Sequence, residues 1–392
     1  MRYSALPPAI LAAVLVAPVP AAAATPTVAR VPTTCDGYLR EGSAHAAKGG
    51  GRTRGFTTFE NSSCGDRITY FEGSGSSWSA TATPLRGDVL DVAADDTGTH
   101  LLFLNTEPPQ RGAAPQPGPE LAVVRRSNDG TFSYPHWLAH AGDLAPAAAG
   151  PGSIVATDGS WYAVWPQRSA TPGRYILYEA ETMWDGGDPA PFAHPAPTTP
   201  DSSDTHPALA TGVDGRPWLF WQRSVPGGQD LLLARGGHGA WQPATRVAAS
   251  VAVSTEHRGL TVAATNTRIF TGWTRSDGPG LDRVVVGSSS NDGNSFTATS
   301  PPVQAPYYTS YDVRLQASSS SVFAAFGAAD APPGRALLAT RLGSKPWNVA
   351  EPYGAVPNSI DSFGVAELIY HGGGRTTTVL YSGQHLYAVS TS

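Results

Sequence analysis

The sequence predicts an all-β fold: a β-propeller of seven four-stranded antiparallel blades, with six blades as the alternative. Three observations carry that expectation. Six aromatic residues, Trp78, Phe132, Trp184, Trp241, Phe296 and Trp347, each follow a polar or Gly-rich turn and recur every 51 to 57 residues. Three stretches, SIVATDGSWYAVWPQRS, ALATGVDGRPWLFWQRS and LTVAATNTRIFTGWTRS, align with one another. Each is an apolar run, a tight turn such as Asp158-Gly159 or Asp214-Gly215, and a second apolar run, the pattern of a β-hairpin. Beyond the N-terminal stretch no helical period is sustained.

A repeat of this length with four strands per unit describes a propeller blade. A single four-stranded blade leaves both faces wet, and radial packing covers each with its neighbour. The repeated aromatics are expected to fill the gaps between blades. Burying ~150–250 Å² of ring surface at about 25 cal/mol/Å² is worth on the order of 4–6 kcal/mol each.

In chain order, residues 1–24 read as a signal peptide. Arg2 supplies the positive start, Ala9 to Val19 the short apolar core, and Ala21 to Ala24 the small residues of a cleavage site. The rest, 25–392, reads as one propeller domain, secreted, extracellular and monomeric. The only cysteines, Cys35 and Cys64, are expected to pair in an oxidising compartment. Hairpin units follow one another to the C-terminus. The last unit, near Gly364–Tyr370, Thr376–Tyr381 and His385–Ser390, lacks its fourth strand. Residues 25–33, TPTVARVPT, are expected to supply it and close the ring.

Composition narrows the function classes. Net charge is −5 and charged residues are 15%, so no basic footprint for nucleic acid exists. No run after the signal segment has transmembrane length. Lys48 and Lys345 are the only lysines, which makes Arg the default cation of the chain. No His-Glu-x-x-His or comparable spacing points to a metal, and no cofactor is expected.

A propeller places its ligand where the inner strands begin, because the irregular loops converge there. Residues at those positions include His206, Glu256, His257, Tyr311, Asp312 and Asp361. Asp312, Glu256, Tyr311 and Asp361 are the catalytic candidates, since carboxylates can serve as acid and base. Arg168, Arg223 and Arg275 each end a second apolar run that carries Trp165, Trp221 or Trp273. With His206 and His257 they form the candidate ligand-binding set, Arg matching a carboxylate bidentately. The same arginines have a structural alternative, pairing with an acid or stacking on their own Trp.

The turn SSNDGNSF resembles the Asp-box of the sialidase-like (BNR-repeat) secreted propellers. Ser289, Asn291, Gly293, Ser295 and Phe296 stand at the motif positions, with Ser for the usual Thr. The resemblance implies a propeller fold and a structural turn on the face away from the active site. It implies an Arg-Ile-Pro signature for a sialidase, and that triplet is absent. The expected function is therefore binding of an extracellular glycan or cell-surface ligand without catalysis. The alternative is a sialidase-like glycoside hydrolase.

Overall fold

The computed structural model describes residues 26–39, 42–60, 63–106, 120–140, 142–146, 149–182, 202–237, 240–254, 259–303, 309–329, 335–351, 363–382 and 385–391. The signal segment 1–24 and Trp184 lie outside them. The first strands are β1 (Thr27–Val31), β2 (Tyr38–Leu39), β3 (His45–Gly49), β4 (Arg52–Glu60) and β5 (Arg67–Ser74). They are followed by β6 (Ser77–Ala94), β7 (Gly98–Asn105), β8 (Glu120–Ser127) and β9 (His136–His140). Next come β10 (Ser153–Thr157), β11 (Ser160–Arg168) and β12 (Tyr175–Glu181). β13 (Asp204–Thr211), β14 (Pro217–Val225), β15 (Gly228–Arg235) and β16 (Thr245–Val251) form the following unit. Then β17 (Thr261–Ala264), β18 (Ile269–Ser276), β19 (Asp282–Ser289) and β20 (Thr297–Thr299) form another. The chain continues with β21 (Thr309–Ala317), β22 (Ser321–Ala329), β23 (Arg335–Leu342) and β24 (Asn348–Ala350). It ends with β25 (Phe363–Gly372), β26 (Arg375–Ser382) and β27 (His385–Thr391).

Five sheets stand as discrete propeller blades. They are β10-β11-β12, β13 to β16, β17 to β20, β21 to β24, and β25-β26-β27 with β1 on its outer edge. β1 runs antiparallel to β27, from Thr27 opposite Ser390 to Val31 opposite Leu386. The remaining strands, β2 to β9, form one continuous eight-stranded sheet.

This corrects the expected ring of seven, or alternatively six, separate four-stranded blades. The physical reason is β6, which runs through 18 residues without a loop. Its first half pairs with β5 as far as Arg86, and its second half pairs with β7 from Gly87 onward. Two meanders are thus fused where a blade-to-blade loop was expected. Gly87 makes the change of partner possible. Its φ is 133°, and a Cβ there would lie 1.8 Å from the Leu104 carbonyl oxygen. Only glycine fits that approach. The corner is held by Gly87 N–H donating to the Asp66 carbonyl at 2.8 Å and by Arg86 pairing with the Asp66 carboxylate at 3.1 Å.

Each apolar cluster lies between neighbouring units. Phe270, Val284 and Val286 of one blade pack on Val313, Leu315 and Phe326 of the next. Trp218, Phe220 and Leu233 pack on Ile269, Trp273 and Val285 in the same way. The spaced aromatics share this work. Trp241 packs against Tyr162 and Leu177 of the preceding blade, and its indole N–H reaches the Glu179 carboxylate at 2.8 Å. Period-2 alternation on both faces of each sheet explains why so many strand residues are buried.

Candidate binding site at the channel mouth

The innermost segments, β3, residues 87–94 of β6, β10, β13, β17, β21 and β25, surround one central channel with a cavity of about 450 Å³. Four of these strands carry one extra residue at a similar height. The register shifts between Val89 and Asp91, Thr205 and Ala208, Tyr311 and Arg314, and Val365 and Glu367. Such bulges re-aim side chains. Here they face polar groups into the channel. His206 and Asp312 take up the extra residue in the left-handed region, with φ of 52° and 53°. Asp is among the side chains that tolerate that conformation best, and His follows it.

The lining includes His45, Lys48, Asp91, His206, Arg314 and Glu367. Asp91 is anchored on three sides. It accepts from Ser153 Oγ, Ile154 N–H and Val92 N–H, each at 2.8 Å. The hydroxyl of Ser153 in turn accepts the Leu209 amide at 3.1 Å, so one hydrogen-bonded chain runs from β6 through β10 to β13. His45 Nδ1 stands 3.6 Å from Asp91, and its Nε2 bonds the Gly42 carbonyl at 2.8 Å. Across the channel Arg314 donates from Nε to the Ala366 carbonyl at 3.0 Å, tying β21 to β25. Glu367 accepts the Leu368 amide at 3.1 Å.

Burial pushes the Glu367 carboxyl up to about 7, against the pull of Arg314 and with a further push from Asp91. Burial also holds His45 below its ordinary value of 6.5, Asp91 opposing and Arg314 assisting. Near neutral pH the mouth therefore offers a fixed cation at Arg314, an anchored carboxylate at Asp91, a neutral imidazole, and a carboxyl that exchanges its proton. That set can hydrogen-bond hydroxyls and hold one carboxylate.

Glu367 sets a pH dependence whose sign is fixed by its shift. Its ordinary value is 4.5 and its folded value about 7, so the folded chain keeps a proton that the unfolded chain has lost. Stability falls as pH rises from about 4.5 to about 7 and is flat above. The loss is expected to be about 1–3 kcal/mol, below the full 1.4 kcal/mol per unit because the group opens on channel water. His45 acts in the opposite sense, losing stability as pH drops below 6.5, so only a comparison with Glu367→Gln isolates the carboxyl. Urea unfolding at pH 5 and pH 7.5 should show a change in stability that is less favourable in the wild type than in the variant by about 1–3 kcal/mol. Equal differences in both proteins would remove the assignment.

The sequence candidates separate in the structure. His206 lines the channel. Asp312 sits on the β21 bulge two residues before Arg314. Tyr311 is placed as a backbone position of β21, opposite Gly327. Glu256, His257 and Asp361 lie outside the described residues. The three arginines do not converge. Arg168 donates to the Leu144 carbonyl at 3.1 Å, Arg223 forks onto Asp204 at 2.7 and 2.9 Å, and Arg275 pairs with Asp277 at 2.7 Å. None of the three is among the residues lining the channel. No cluster of His, Cys, Asp and Glu among the described residues could hold a metal.

The turn after β19 is tied by its own side chains. Gly293 N–H donates to Ser289 Oγ at 3.1 Å, and Ser295 N–H donates to Asn291 Oδ1 at 3.1 Å. Phe296 packs against the cluster between two blades. Because β19 ends there while β17 and β21 begin at the other end of their sheets, this turn lies on the face opposite the mouth.

Sequence reasoning missed His45, Asp91, Arg314 and Glu367. A signal existed for three of them. Each is a charged residue inside an otherwise apolar inner strand, in VLDVAA, DVRLQA and VAELIY. A charge in such a position is costly unless it faces a polar channel.

No protein-family model matches the sequence, and no curated protein matches it. Solved structures share the fold at low identity. A Dyadobacter fermentans protein of unknown function has a TM-score of 0.50 at 10% identity, covering 94% of this chain and 98% of its own. The polysaccharide lyase Uly1 has a TM-score of 0.54 at 10% identity, covering 86% of this chain and 88% of its own. A PL25 ulvan lyase has a TM-score of 0.52 at 10% identity, covering 79% and 81%. The propeller relationship is remote.

Proposed function

We propose that this propeller binds an extracellular glycan at its channel mouth, with an acidic sugar set against Arg314. The observation that carries this is the convergence of His45, Asp91, His206, Arg314 and Glu367 on one cavity through bulged inner strands. Arg314 supplies a cation for a sugar carboxylate, while Asp91 and His45 supply acceptors and donors for hydroxyls. Remote support comes from the ulvan lyase fold neighbour, which has been solved with -[GlcA(1-4)Rha3S]- bound to it. The SSNDGNSF turn is read as a single Asp-box-like structural turn, away from the ligand. In the same proposal the protein works outside the cell after residues 1–24 are removed, as a monomer and without a cofactor.

The test is a glycan array with the mature protein, followed by titration of the best uronate-containing oligosaccharide. Arg314→Gln should weaken that binding at least tenfold, on the order of 1.4 kcal/mol or more, with an unchanged melting profile as the folding control. Retention of no glycan by the wild type would sink the proposal. Release of cleaved product during the titration would replace binding with glycan cleavage.

A further inference from the structure

A second cavity of about 330 Å³ opens on the same face, between the blade of β10 to β12 and the blade of β13 to β16. Its lining includes Tyr175, Thr205, Gln222, Ser224 and Gln229, and it shares His206 with the channel. Tyr175 is the first residue of β12, Thr205 the second of β13 and Gln229 the second of β15, while Gln222 and Ser224 lie in the last four residues of β14. All of these positions face the end where the inner strands start. Thr205 stands opposite Gln222 in the ladder, and Ser224 stands opposite Gln229. The register therefore presents two polar pairs side by side.

The chemistry of this groove differs from that of the channel. Among the described residues lining it none is Asp, Glu, Lys or Arg. One nearby pair is matched internally, Asp204 being fully buried and forked by Arg223, and the Asp282 carboxylate accepts from Ser254 Oγ at the groove wall. Amides and hydroxyls each donate and accept, which suits a ring of alcohols. An anionic sugar would lose its hydration there with no Lys or Arg among the described lining residues to offset the cost. The volume lies at the low end of the range for small-molecule sites, about 300–1,000 Å³.

We propose that this groove is a subsite for an uncharged pyranose, joined to the channel mouth at His206. The preferred ligand is then a heteroglycan in which a neutral sugar adjoins an acidic one. That linkage rests on the channel-mouth reading, whereas the groove's own preference does not. Gln222 and Gln229 bond the ring hydroxyls, and Tyr175 presents its ring to the apolar face of the sugar.

Saturation-transfer NMR with methyl glycosides separates the two sites. Methyl pyranosides of neutral sugars should receive magnetisation from the wild type and from Glu367→Gln. Ser224→Trp, placed at the exposed rim of the groove, should abolish the transfer. Gln229→Ala, a milder change, should weaken it at least fivefold, with melting curves confirming that both variants fold. A methyl uronide reports on the channel instead and should respond to Arg314→Gln but not to Ser224→Trp. Absence of transfer to every neutral pyranoside overturns the groove assignment even if the uronide binds. Unchanged transfer in both groove variants overturns it as well. Absence of a uronide signal from the wild type, with the neutral pyranosides still binding, overturns only the channel-mouth reading.

Discussion

Asp204→Ala is expected to lower the unfolding free energy by about 3 kcal/mol, within the 3–5 kcal/mol typical of breaking a buried ion pair from one side. The Asp204 carboxylate is fully buried, whereas the Arg223 side chain retains 24% of its exposure. Arg223 grips both carboxylate oxygens, and Ser202 Oγ donates to one of them at 2.6 Å. Removing the acid takes two charge-assisted hydrogen bonds from a guanidinium that is mostly out of water. Its residual exposure keeps the cost at the lower end of the range. Asp204 and Arg223 also stand opposite each other at the start of the β13–β14 ladder, one step before the bulge that carries His206. Loosening the pair should therefore loosen the shared wall between channel and groove. Urea unfolding of Asp204→Ala, Arg223→Ala and the double variant gives the coupling between the two residues. A loss under 1 kcal/mol for Asp204→Ala would show that the pair has little structural role.

Removing the disulfide should have a comparable effect by a different route. Cys35 and Cys64 are bonded, with Cα atoms 5.8 Å apart and a sequence separation of 29. A loop of that size gives roughly 3–4 kcal/mol from restriction of the unfolded chain. Its position adds a consequence specific to this fold. Cys35 follows β1, the outer strand of the C-terminal blade, and Cys64 lies in the turn before β5 of the fused sheet. The bond therefore pins the strand that joins the two ends of the chain. Cys35 packs in one cluster with Val31, Phe71, Ile369 and Leu386, which come from both sides of that seam. Cys35→Ser/Cys64→Ser, or the reduced protein, should lose about 3–4 kcal/mol in denaturant. Amide exchange should accelerate first in β1 and β27. Uniform acceleration across all sheets would show that the bond acts on the whole fold and not on the seam.

Much of the architecture was legible. Alternating apolar runs, Asp-Gly turns and the near-equal spacing of Trp78, Phe132, Trp184, Trp241, Phe296 and Trp347 mark an all-β repeat, because strand period and turn chemistry are local properties. The cysteine pair was legible for the same reason: two cysteines admit one bond. The division into separate blades was not. Residues 77–94 contain Pro84 and Gly87, and nothing local marks them as one continuous strand. The structure runs the strand straight through them, because Gly87 can approach the Leu104 carbonyl where any side chain would clash.

The functional face was legible only in part. His206 and Asp312 were marked as residues at the start of inner strands, and both occupy bulges there. Arg223 and Arg275 carried a residue-type signal that fits either a ligand carboxylate or an internal acid. Neither reading can be chosen locally, and Asp204 and Asp277 take them in the fold.

Sequence by itself determined that this chain is built of repeated strands, that aromatics recur between them, and that one disulfide ties residues 35 and 64. Tertiary structure alone decided how the strands group into sheets and which charges meet. A one-residue bulge shifts every side chain beyond it to the other face, and its position is set by the partner strand. Asp91, Arg314 and Glu367 reach one channel only because β6, β21 and β25 each make that shift at matching height.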